Sequence, residues 1–170
     1  MKEHEEQKEW IIPIDLDHYD IGNALRTLNI IDLCQSVQME NANVGDLIYI
    51  YCKTKENEEF IAYKGAILAV NKFENIIDDS QFSSDGTIKS GPCFSTAVFR
   101  VYELDDELTY MKLIEAGLQS EPQVPAIVDG TLAEYLHLCD DKQRQIDRFI
   151  GEIPDECLTN FPIPIHEVIN

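Results

Sequence analysis

Tyr49 and Tyr51 alternate within the run Leu47-Ile-Tyr-Ile-Tyr-Cys, so on an extended chain both rings point to one side. Tyr63, in the following run Phe60-Ile-Ala-Tyr-Lys, is placed to join them across a strand pair, and Trp10 and Tyr19 lie near the first β-rich segment. Flat rings with a few polar neighbours, here Gln35 and Lys64, make a wall on which a planar heterocycle stacks while its edge is hydrogen-bonded. The same residue types build ordinary cores, so a stacking pocket and a packed interior are two readings of one set. A second cluster, Asp15, Asp17, His18 and Asp20, joins carboxylates to an imidazole, which suits acid–base work or a hard cation. It suits even better a solvated turn closed by an Asp20 helix cap.

Other chemistries lack their residues. There is no Gly-x-Gly-x-x-Gly, Walker loop, Gly-x-Ser-x-Gly or His-Glu-x-x-His. Four histidines, at positions 4, 18, 137 and 166, form no ligand pair, and the acidic clusters at turns lack the alternation of a calcium loop. Five cysteines, Cys34, Cys52, Cys93, Cys139 and Cys157, include no Cys-x-x-Cys and read as structural thiols. No catalytic residue, metal ligand or cofactor is assigned.

The elements that must position these residues follow from pattern. Trp10-Ile-Ile-Pro-Ile is a short strand, with Pro13 confining it to an edge or an end. Asp20 caps a helix in which Ile21, Leu25 and Leu28 recur at helical spacing. Leu47–Cys52 and Phe60–Val70 form a hairpin, and Cys93–Leu104 is a third long strand beyond a polar surface loop over 71–92. A helix from Leu108 ends at Gly117, Glu121-Pro-Gln-Val-Pro is extended, and two helical stretches follow, one capped by Thr131 and one over 143–150. Hairpin-linked strands interleaved with helices predict an α+β fold with a mixed, mainly antiparallel sheet curled into a partial barrel.

Size and charge bound the rest. A chain of 170 residues and 19.4 kDa fits one domain, with a core over about 10–140 and a C-terminal helix and extended tail over 141–170. Its 32 acidic against 13 basic residues, a net charge of -19, repel a phosphate backbone, so any nucleic-acid contact must be local. No apolar run is long enough to span a membrane and no signal peptide is seen, so a cytoplasmic protein is expected.

The order Trp10-Ile-Ile-Pro, Tyr19-Asp20, Ile31-Asp-x-x-Gln35, Val44-Gly-Asp-Leu-Ile-Tyr-Ile-Tyr51 and Tyr63-Lys64 resembles the EVE-like domains of the PUA-like superfamily. Phe99-Arg-Val, the helix ending Glu-Ala-Gly-Leu118, Pro122-Gln-x-Pro125 and Leu132-x-x-Tyr-Leu continue the resemblance, which covers about residues 10–140. It implies a small β-barrel with flanking helices whose pocket reads flipped-out modified bases in DNA, or RNA. By position it implies Trp10, Tyr19, Gln35, Tyr49, Tyr51, Tyr63 and Lys64 as pocket walls and edge contacts. Where that family commonly has Trp-Lys before the glutamine, this chain has Leu33-Cys34, and Glu121 and Ala126 stand where basic residues tend to flank the Pro-x-x-Pro loop.

Three functional readings follow. The first is a non-catalytic reader of a modified base in DNA or RNA, or of a free nucleotide. The second is an acidic interaction module with a basic protein partner, a mimic of nucleic-acid charge. The third is a nucleoside-processing hydrolase like the related ASCH domains, for which Lys64, Asp20 and Glu103 are the available acid–base groups.

Overall fold

A computed structural model describes residues 6–28, 30–55, 58–73, 79–84, 92–102 and 106–152. Glu103 and the Phe161-Pro-Ile-Pro-Ile tail lie outside them. The first strand, β1 (Glu9–Asp15), pairs in parallel with β3 (Leu47–Lys53), because α1 (Ile21–Thr27) and β2 (Ile30–Cys34) intervene and return the chain to the same end. Asp20 caps α1 by accepting from Asn23 N at 3.2 Å, as its position predicts. β3 turns into β4 (Phe60–Lys72), β4 pairs antiparallel with β5 (Cys93–Val101), and β5 pairs antiparallel with β2. The two-residue β6 (Ala126–Ile127) adds to β1, completing the order β2-β5-β4-β3-β1-β6. β6 reaches only Trp10 and Ile11, so Pro13 sits where β1 has an open side and needs no ladder N–H.

Each face of this mixed, mainly antiparallel sheet carries its own core. On one, Trp10, Ile12, Ile48, Ile50 and Phe94 pack with Ile21 and Ala24 of α1. On the other, Ile11, Tyr49, Tyr51 and Ile61 pack with Leu113 of α2 (Tyr110–Glu115) and with Leu132, Leu136 and Cys139 of α3 (Gly130–Glu152). The alternation of β3 therefore divides isoleucines from tyrosines. α3 is one continuous helix of 23 residues rather than the two stretches read from the sequence. No helix among the described residues is long and apolar enough to cross a membrane.

Two glycines are required by geometry. A Cβ on Gly65 would stand 2.7 Å from Ala97 O and 2.8 Å from Thr96 Oγ1, so β4 approaches β5 there only without a side chain. Gly117 closes α2 at φ +118°, as expected for a left-handed helix terminus.

Candidate functional site

The seven residues singled out from the sequence do not form one pocket. Tyr49 pairs with Lys64 and Tyr51 with Ile61, so these tyrosines and Lys64 share the face covered by α2 and α3. Tyr63 pairs with Ile50, whose side chain points the other way, and it packs against the α1-side core with Trp10 and Tyr19. Register therefore overturns the expectation that Tyr63 joins Tyr49 and Tyr51.

The α3-covered face holds a polar network centred on the buried Lys64 and Asp140. Lys64 Nζ lies 4.8 Å from the Tyr49 ring centroid and donates to Asp140 Oδ2 at 2.5 Å. Tyr102 OH donates to Asp140 Oδ1 at 2.5 Å, and Arg100 Nη1 reaches the Asp140 carbonyl at 3.2 Å. Tyr49 OH donates to Glu9 Oε1 at 2.8 Å, and His137 Nε2 meets Glu9 Oε2 at the same distance. Lys64 and Asp140 are 6% and 3% exposed, and both Tyr49 and Tyr51 are fully buried. Burial first, and then the neighbouring carboxylates, push the Tyr49 and Tyr102 hydroxyls far above the ordinary tyrosine value. These tyrosines present no face to a ligand; they and Lys64 fasten α3 to the sheet.

Trp10 is committed too. Its Nε1 donates to Asp46 Oδ2 at 3.0 Å, and Asp46 also accepts from Lys8 N and Asn43 N, which fixes the turn before β3. Tyr19 OH donates to Asp79 Oδ2 at 2.7 Å. The Asp15–Asp20 cluster is a turn: Asp15 accepts from Asp17 N and Asp20 caps α1.

A different cluster gathers at the end of β2. Gln35 donates from Nε2 to Met39 O at 3.0 Å and accepts from Asn71 N at 2.6 Å, joining the loop after β2 to the end of β4. Asn71 is held at φ 54°, a left-handed conformation unusual for a non-glycine residue. Beside Gln35, Ser36 Oγ is buried with no hydrogen-bond partner among the described residues. Within the strands, the fully buried Asp32 accepts from Ser95 Oγ at 2.5 Å and from Lys72 Nζ at 2.8 Å. Sequence reasoning found Gln35 here but missed the rest. The available signal was Asp32 itself, a carboxylate inside the apolar run Ile30-Ile-Asp-Leu.

A groove of about 330 Å³ runs under the Pro122-Gln-Val-Pro loop, lined by Ile11, Leu118, Pro122, Val124, Ile127 and Leu132. At its rim Lys53 Nζ donates to Gln123 Oε1 at 3.0 Å and lies 3.5 Å from Glu121. The Glu59 carboxyl, which accepts from Tyr51 OH, is raised by partial burial and by sharing a hydrogen bond with Glu121.

No protein-family model matches the sequence, and no curated protein is significantly similar to it. Solved structures do match in shape. A hypothetical protein from Leishmania major superposes with a TM-score of 0.57 at 12% identity, covering 81% of this chain and 98% of its own. An ASCH protein from Zymomonas mobilis gives 0.50 at 11%, covering 78% and 96%. The fold is PUA-like. ASCH domains belong to the PUA-like superfamily, and at these identities the likeness shows the fold alone.

Proposed function

We propose that this chain is a non-catalytic, EVE-like reader of the PUA-like superfamily, acting in the cytoplasm, and that its ligand is a modified base, in a strand or as a free nucleoside or nucleotide. The observation that carries the reading is the polar end of β2, where a Ser36 hydroxyl buried without a partner among the described residues adjoins Gln35 and the strained Asn71. A native buried hydroxyl left unsatisfied is costly, and a base edge that donates or accepts there would satisfy it. Backbone strain gathers at such clamps. Against catalysis, burial pushes the shifted tyrosine hydroxyls and cysteine thiols up, away from neutrality, Cys52 to about 12.

Recognition through the base rather than the phosphates fits the cations. Lys53, Lys64, Lys72, Arg100, Lys112, Lys142 and Arg144 each lie 2.5–3.7 Å from a carboxylate of the same chain. These are seven of the chain's 13 basic residues, and pairing within the chain reduces the positive charge that could displace counterions from a strand. The same observation favours a second reading, an acidic module that engages a basic protein partner.

A titration separates them. Short DNA and RNA with ordinary and modified bases, and the free nucleosides, are titrated at low and moderate salt, with product analysis for base or nucleoside hydrolysis. Saturable binding that depends on the modification, varies little with salt and is lost in Gln35→Ala supports the reader. Turnover would transfer the domain to the hydrolase reading. Silence across the panel, with salt-sensitive capture of a basic protein, supports the acidic module.

A further inference from the structure

Cys34 ends β2, Cys93 begins β5, and the two are direct register partners. Gln35 N donates to Pro92 O at 2.9 Å, so Gln35 and Pro92 occupy a hydrogen-bonded site and the adjacent cysteines a non-hydrogen-bonded one. At such a site the Cα atoms stand about 4.5 Å apart with side chains on one face, inside the range a disulfide spans. The next pair on that face, Asp32 and Ser95, already meets across the strands at 2.5 Å. Exposure is asymmetric: Cys34 is open to solvent, whereas Cys93 is 1% exposed.

We propose that Cys34 and Cys93 form a redox-responsive thiol pair, in which Cys34 reacts with a small-molecule disulfide and Cys93 resolves the adduct. The Cys34 thiolate attacks one sulfur of the small disulfide, forming a mixed disulfide and expelling one thiolate. Cys93 then attacks the Cys34 sulfur and expels the second thiolate, which takes up the Cys93 proton as it leaves. The two protein thiols are thereby oxidised by two electrons and the small disulfide is reduced to two thiols. The new bond staples the edge strand β2 to β5 one residue from Gln35, and it stands whether or not that end binds a base.

The full chain, reduced and then incubated with oxidised glutathione under native conditions, has its remaining thiols trapped with N-ethylmaleimide and is digested for mass spectrometry. The expected product has lost two hydrogens, retains no glutathione, yields a peptide pair joined through Cys34 and Cys93, and reverts with dithiothreitol. Cys93→Ser should stop at a stable glutathione adduct on Cys34, and Cys34→Ser should leave Cys93 unmodified, each checked for folding by circular dichroism. Cys93→Ala replaces Cys93→Ser if the hydroxyl is not tolerated. Glutathione persisting on wild-type Cys34, a bond to Cys52, Cys139 or Cys157, or no oxidation would each overturn the proposal.

Discussion

Two polar regions of this domain are built from similar residues and behave differently. Under α3, Lys64, Arg100, Asp140, Tyr102, Tyr49 and Glu9 satisfy one another, with Lys64, Asp140 and Tyr49 buried and the others partly so. At the end of β2, Gln35 is satisfied, but Ser36 Oγ is not, Asn71 is strained and Cys34 is exposed. A complete buried network specifies and fastens; an incomplete one beside a strained backbone leaves capacity for a partner. The richest collection of functional-looking side chains is thus the structural region.

The largest effect should come from breaking the sealed network. Asp140→Ala leaves Lys64 buried without its counter-charge and Tyr102 without an acceptor, and is expected to cost about 3–5 kcal/mol in urea unfolding. The double replacement Lys64→Met, Asp140→Leu should recover part of that loss, because Lys64 is no longer stranded while Tyr102 and the partly buried Arg100 still lack the carboxylate. If Asp140→Ala instead left stability intact and removed ligand binding, the assignment of the two regions would be reversed.

Alkaline titration tests the same network without mutation. An unfolded tyrosine loses its proton near pH 10, whereas burial and nearby carboxylates hold the Tyr49 and Tyr102 protons to much higher pH. Above pH 10 the unfolded state therefore binds fewer protons, and the stability fully present below that value falls as pH rises. Each of the two hydroxyls contributes about 1.4 kcal/mol per pH unit, so the pair removes roughly 3 kcal/mol over one unit. Tyrosinate absorbance from these residues should appear together with loss of circular dichroism. Ionisation well before unfolding would show that they are accessible.

β4 carries both Lys64 and Lys72 and so connects the regions. Gly65→Ala forces a Cβ against Ala97 O and Thr96 Oγ1, for an expected cost of about 1–3 kcal/mol. Binding at the β2 end should persist in the folded fraction. A parallel loss of affinity at full folding would show that the β4–β5 contact couples the two regions.

Local pattern disclosed β1, β3, β4 and β5, the Asp20 cap and the Gly117 terminus, because each rests on residues adjacent in sequence, whereas the stretch that holds β2 was ambiguous and the two-residue β6 gave no signal. The alternation of Tyr49 and Tyr51 was also legible. What covered them was not, since it depends on α3 arriving from more than 80 residues later and on Asp140 meeting Lys64 across a separation of 76. Tyr63 was misplaced for a different reason: the turn between β3 and β4 does not by itself fix which residue opposes Ile50. Gln35 was legible through resemblance, whereas the Ser36 and Asn71 conformations exist only once β2, β4 and the loop after β2 have met.

The smallest stability effect should fall where the functional effect is greatest. Ser36→Ala removes a hydroxyl that is buried without a partner among the described residues, so folding loses no hydrogen bond seen there and stability should stay within about 0.5 kcal/mol of wild type, or rise. If a base edge pairs with that hydroxyl, the same change strands the ligand's polar atom, and affinity should fall by about 1–3 kcal/mol, a factor of roughly 5–150. Calorimetric unfolding and ligand titration on one sample give both numbers. An unchanged affinity would move the contact to Gln35 or elsewhere, and a loss of stability would mean that Ser36 belongs with the sealed network after all.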